Sequence, residues 1–270
     1  MNKVRNIWNG LAFELEVTFG HSFLEILAAF VFFLCITLVK SAASSIRPGI
    51  WIPSDPAWSA TESYEHYVAL INEAAVSVYS SSAFGLASLV AFVVPTLVMF
   101  NIARGFEDGS LQTQLSYPIG RGRLLLTKMV GVLVLFGTIT SVSQFIAVGI
   151  ISPGIPRFDH VLLILGAMWS FIFLVIASST LIALLVKRAL VGELIGVLFW
   201  LGIGVMRLLP RRFTPLENLL NPLPPINDFF NFPWATDVLF NELAMYVIGT
   251  IALSLSLLMI CIIYFEQVEV

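Results

Sequence analysis

The chain has 270 residues, 58% of them hydrophobic and only 11% charged, with a mean hydropathy of +0.93. Soluble domains carry about 25% charged residues, so a chain of this composition cannot hide its apolar surface against itself, and lipid must cover part of it. The formal net charge of −3 comes from a few loops, and the dispersed positives form no basic stripe, which argues against a nucleic-acid partner.

In chain order, Val4, Ile7, Trp8, Leu11, Leu15 and Phe19 recur at helical spacing. They predict an amphipathic helix over 3–20 lying in the membrane interface. Glu14 and Glu16 interrupt this stretch, and no small-residue cleavage site follows a short apolar core, so we expect no signal peptide. The predicted spans are 22–39, 77–101, 124–150, 161–186, 190–208 and 243–265, the second kinked at Pro95 and the fifth the weakest. A polar connector, 41–73, carries Pro48, Pro53 and Pro56. A second connector, 207–242, holds six prolines yet is rich in Phe, Leu and Trp. It is too broken for a full span and too apolar for a solvated loop, so it reads as re-entrant or interfacial short helices. The expected fold class is therefore an all-α membrane protein of six transmembrane helices, forming a single domain over 1–270.

Six spans put both termini on one side. With the termini in the cytoplasm, eight Lys and Arg face inward: Lys3, Arg5, Arg104, Arg121, Arg123, Lys128, Lys187 and Arg188. Six face outward: Lys40, Arg47, Arg157, Arg207, Arg211 and Arg212. The 101–128 cluster is the tightest, and positives in short loops favour the cytoplasm. Both long connectors then lie outside, and the expected location is the cell membrane.

Among the polar residues near or inside spans, Glu25, with His21 one turn earlier, reads as snorkelling to the inner interface, with a proton or substrate site as the alternative. Glu193 reads as pairing locally with Lys187 or Arg188. Ser141, Ser143 and Gln144 read as interhelical hydrogen bonds. His66 and His160 are far apart and offer no metal set. Ser80 to Ser82 have no histidine on the predicted span, so an intramembrane hydrolase lacks its base. Cys35 and Cys261 read as core residues at different depths. At about 1.5 Å rise per residue they are too far apart for a disulfide.

The main polar interruption between two uncharged runs is 104–128. Ala74 to Ala103 carries no charge over 30 residues, and Met129 to Pro156 none over 28. Glu107 and Asp108 followed by Gly109 and Ser110 suit a turn and a helix N-terminus. Leu111 and Leu115, four apart, share a face, and Pro118 ends the helix. Arg121 then stands at headgroup level as the third span begins. The product is a helix of about two turns parallel to the membrane, with an acidic start and a basic exit.

This segment resembles the one after the second span in permeases of the ABC type-2 transporter family. The matching positions are Glu107, Gly109, Ser110, Leu111, Leu115, Pro118, Arg121 and Lys128, with a departure at Gly120, where Ser is commoner. The six-span layout, the N-terminal helix and the apolar connector before the last span extend the resemblance over nearly the whole chain. It implies a permease subunit of an ATP-driven exporter, working as a homodimer or heterodimer with two cytoplasmic ATPase subunits. The helix around 107–117, Asp108 included, then corresponds to the cytoplasmic coupling helix, and 3–20 to the connecting helix. The chain has no phosphate-binding Gly-x-x-x-x-Gly-Lys-Ser/Thr loop of its own. No cofactor or enzyme activity is therefore expected of it, and ATP and Mg belong to the partner. The alternatives are an ion-coupled secondary transporter and a non-transporting membrane anchor or assembly subunit. The transported substrate is not legible.

Overall fold

The computed structural model describes residues 21–45, 60–116, 120–151, 154, 156–205, 214–231 and 239–267. The predicted interfacial helix 3–20, most of the connector prolines and Pro118 lie outside the described residues. Among the described residues every regular element is helical. The helices are α1 His21–Ser45 and α2 Ala60–Val98, which runs into a π-wound turn Met99–Ala103; then α3 Arg104–Glu107, α4 Ser110–Leu115, α5 Arg121–Ile151 and α6 Phe158–Val186. They continue with α7 Ala189–Val205, α8 Thr214–Leu220, α9 Leu223–Asn231 and α10 Phe240–Gln267.

Five helical stretches are long and apolar enough to cross a bilayer: Glu25–Ser44, Ile71–Glu107, Arg121–Ile151, Phe158–Val186 and Phe240–Gln267. The protein is thus an all-α, multi-pass membrane protein. The predicted fifth span is α7, a helix of 17 residues. At about 1.5 Å per residue it is roughly 25 Å long, short of a hydrocarbon core of about 30 Å. It runs antiparallel to α2: Gly192 abuts Met99, Gly196 abuts Pro95, and Ile203 and Gly204 lie level with Phe84 and Ala87.

Several boundaries differ from the sequence expectation. α2 begins at Ala60 rather than near 77, because 60–76 contains no Gly or Pro to stop a helix once the bilayer ends. His66 consequently shares a helix with Ser80, though about 14 residues, or some 21 Å, away. The helix passes through Pro95 and changes to π winding four residues later.

α6 is the central post. Two thirds of its apolar stretch is buried, against 17% for α10 and 22% for α1. It packs on α2, α5, α7 and α10. Small buried residues, Ala167, Ser170, Ala177, Ser178, Ser179 and Ala183, let its neighbours approach closely without a bulky core residue between backbones. At its α5 contact, a Cβ on Gly137 would stand 2.9 Å from the Trp169 ring. One turn on, Ser141 accepts the Trp169 indole N–H at 2.9 Å. Gln144 donates to the Tyr79 carbonyl and to Ser82, both at 2.8 Å. Ser141 and Gln144 are therefore interhelical bonds, as read from sequence. Cys35 and Cys261 are buried free thiols.

Candidate functional site

Two places in the bundle gather polar chemistry. The first is the end carrying α3 and α4, termed here the lower end. Asp108 and Gly109 join the two short helices. Gly109 has φ +72°, a left-handed conformation that costs a side-chain-bearing residue most. This turn lets the Asp108 carboxylate accept the Ser110 N–H at 3.0 Å, so α4 starts with a satisfied donor. That backbone hydrogen bond, with the Ser110 hydroxyl and nearby Arg104, holds the Asp108 carboxyl below its ordinary value. Leu111 is fully buried and rests against Gly105, while Leu115 is half-buried on the same side. Ser110, Gln112, Thr113 and Ser116 are exposed. The helix read from Leu111 and Leu115 is present, with an apolar face inward and an uncharged polar face outward.

The segment is fastened to several helices. Glu107 accepts the Ala189 N–H at 3.2 Å, satisfying one of the orphan donors at the start of α7. Lys187, in a left-handed conformation at the end of α6, lies over the Phe106 ring at 5.4 Å. Phe106 meets Phe265 of α10 edge-on at 6.3 Å. Arg121, exposed, opens α5. Lys128 is buried one step deeper and donates to Asn101 in the π turn at 3.2 Å. Of the site residues predicted from sequence, Glu107, Asp108, Gly109, Ser110, Leu111 and Leu115 form one continuous segment, and Arg121 stands at the start of α5. Glu107, however, is engaged within its own chain, a role the sequence reading did not assign.

The second place is a cavity of about 360 Å³ among α2, α6, α7, α8 and α9. Its wall includes Phe84, Phe171, Trp200, Glu217, Asn221 and Pro224. The α8–α9 pair carries the acidic residue inside. Leu223, Ile226, Glu217 and Asn218 are all buried, and the described part of 207–242 forms two short helices packed against the long ones. Asn221 caps α9 by accepting the Leu223 N–H at 3.1 Å, and Thr250 of α10 donates to the Leu219 carbonyl at 2.7 Å. At its far end, α9 is pinned by Asn231, which bonds Ser77, Ser80, Ser81 and Asn227. The cavity is level with residues 84–91 of α2, near the middle of the apolar stretch Ile71–Glu107.

The sequence reading missed Glu217 as an interior carboxylate, because it counted the whole connector as outer. The available signal was Leu216-Glu-Asn-Leu-Leu-Asn-Pro-Leu, apolar residues bracketing acid and amide between prolines. Glu25, the carboxylate singled out instead, is exposed at the start of its apolar stretch. Glu193 accepts a hydrogen bond from Thr96 at 2.9 Å, an interhelical partner in place of the local one expected. His160 packs on Phe230 and Phe240 at 4.9 and 5.9 Å. Among the described residues no group of three or more His, Cys, Asp or Glu is arranged to hold a metal ion. No protein-family model matches this chain, and no curated protein matches it.

Proposed function

We propose that this chain is the membrane-spanning subunit of an ATP-driven ABC exporter. It forms the translocation path as a dimer and takes its energy from separate cytoplasmic ATPase subunits. In this reading it has six spans, with α7 the shortest, and the lower end and both termini are cytoplasmic. The observation that carries the proposal is the lower segment. An exposed polar helix face is backed by a buried leucine and tied to α2, α6, α7 and α10 at once. A partner pressing on that face would move four helices together, which is what mechanical coupling requires. Because Glu107 and Asp108 cap helices of their own chain, the residues that meet the partner are better sought at Gln112, Thr113 and Ser116.

The test is gentle-detergent purification from native membranes followed by mass spectrometry. A stoichiometric protein bearing a phosphate loop, lost when Gln112 and Thr113 are both changed to Arg, is the expected result. A clean homo-oligomer without an ATPase would overturn the reading. Topology is checked by single cysteines at Ser54, expected to label from outside intact cells, and at Ser116, expected to label only after permeabilisation. The opposite pattern would invert the orientation. A second reading, ion-coupled transport, is favoured by one observation: Glu217 is a buried carboxylate level with mid-span, the kind of group proton relays use.

A further inference from the structure

We infer that the cavity walled by Phe84, Phe171 and Trp200 binds an uncharged aromatic molecule that carries a hydrogen-bond acceptor and is dissolved in the bilayer core. Its volume of about 360 Å³ lies within the range of small-molecule sites, roughly 300–1,000 Å³. An apolar cavity of about 150 Å³ already admits benzene, so this one has room for a larger ring system. The walls are mostly apolar and the polar groups are few, the usual pattern for a site that binds by burial and orients by chemistry.

Three features select the ligand. The first is the Trp200 indole N–H. The residue is only 3% exposed, and its N–H has no acceptor among the described residues. Buried donors are ordinarily paired, so an oxygen on the ligand supplies what the chain does not. The second is the aromatic wall, where Phe171 and Trp200 meet edge-to-face at 5.3 Å and Phe84 lines the same space. Flat rings pack favourably against such rings, edge-on or offset. The third is charge. Glu217 is the one ionisable residue among the described lining residues, and it is already engaged within the chain. An ion entering here would find no free counter-charge, so the cavity selects a neutral molecule.

Depth separates this ligand from the lipid itself. The cavity lies level with residues 84–91 of α2, near the middle of the apolar stretch Ile71–Glu107. In a hydrocarbon core about 30 Å thick, phospholipid esters stay at the edges. Only acyl methylenes reach this level, and they accept no hydrogen bond. The mouth is formed where Ser88, Leu201 and Gly204 are exposed between α2 and α7, so a molecule dissolved in the core can enter sideways.

Binding here needs no ATPase partner, so the test uses the full chain alone in nanodiscs, without nucleotide. The probe is benzophenone, two rings joined by one carbonyl, which on irradiation inserts into nearby C–H bonds. Labelled peptides are located by mass spectrometry. The competitors are 9-fluorenone and fluorene, which share a planar ring skeleton; only the ketone has an acceptor. Their concentrations are compared as mole fractions in the lipid. Saturable labelling within 84–91 and 200–204 is expected, displaced by fluorenone at least about ten-fold more effectively than by fluorene. Trp200→Phe, which keeps an aromatic ring and removes the N–H, should bring the two competitors level while labelling persists. Gly204→Phe should abolish labelling, because a Cβ there meets nothing within 4 Å and the ring fills the space without displacing the helix. Labelling that does not saturate, or that persists unchanged in a monodisperse Gly204→Phe variant, would overturn the site. So would equal competition by fluorenone and fluorene in the unaltered chain, the result expected of an indole served by water alone, or an undiminished preference for fluorenone in Trp200→Phe. If Trp200→Phe fails to fold, the unaltered chain and Gly204→Phe still decide the matter.

Discussion

The lower segment and the upper α8–α9 pair are both short, broken helices between long ones, yet they are held in opposite ways. The lower segment is attached by its edge. Leu111 is sunk, Asp108 caps the start of α4, Glu107 ties the segment to the start of α7, and one whole polar face stays exposed. The upper pair is attached by its body, with Leu223, Pro224, Pro225 and Ile226 buried and Asn231 clamped to α2. A surface helix that is anchored but uncovered keeps one polar face accessible. A helix pair that is covered on its apolar side is built to close something, here the roof of a cavity.

The largest effect is expected from Asn231→Ala. It strips three serine partners from the α9–α2 contact and should cost about 1–3 kcal/mol. Hydrogen exchange should rise over 223–231 while 110–115 stays unchanged; equal loosening at both ends would mean that the two regions are not independent. Thr250→Val comes next. It leaves the Leu219 carbonyl without the hydroxyl at 2.7 Å, at a cost of about 1 kcal/mol. A lowered midpoint of thermal unfolding in detergent, with α8 the first element to exchange, is the expected readout.

Glu107→Ala should be milder, since the cap it provides at Ala189 is exposed. A loss of about 0.5–1 kcal/mol is expected, visible as fraying of the first turn of α7. Glu107→Gln, which keeps an acceptor oxygen, should restore the turn. The smallest effect concerns Asp108. Its carboxyl titrates below the ordinary value of 3.8, so its contribution to α4 is present above that value. The contribution is lost as pH falls through the depressed folded value. Amide exchange at Ser110 should therefore accelerate only in strongly acidic solution. Asp108→Asn, which keeps the acceptor without the titration, should flatten that dependence; an unchanged pH profile in Asp108→Asn would remove the cap from the account.

Much of the lower segment was legible because its determinants are local. Glu107 through Ser110 specify a turn and a helix start within four residues, and Leu111 and Leu115 mark the buried side. The destination of the Glu107 carboxylate was not legible, because Ala189 is 82 positions away. The same limit hid Glu193, whose partner Thr96 is 97 positions away. Gln144 was readable as interhelical only by type; which carbonyl it meets depends on the α2–α5 register. For the connector 207–242, proline density and apolar content together foretold short helices against the spans. They said nothing of which face turned inward.

By itself the sequence determined that this protein lives in a bilayer, that long apolar helices build it, and that polar breaks fall near 104–120 and 207–242. Those properties follow from composition and from hydrogen bonds closed within a single helix, which the bilayer makes obligatory. Only the tertiary structure decided that α6 is the central post, that α3 is lashed to α6, α7 and α10, and that Glu217 stands inside beside Trp200. These outcomes depend on how small residues such as Gly137 and Ala167 let particular helices approach. Close packing of that kind is a property of pairs of surfaces, fixed when helices meet and not before.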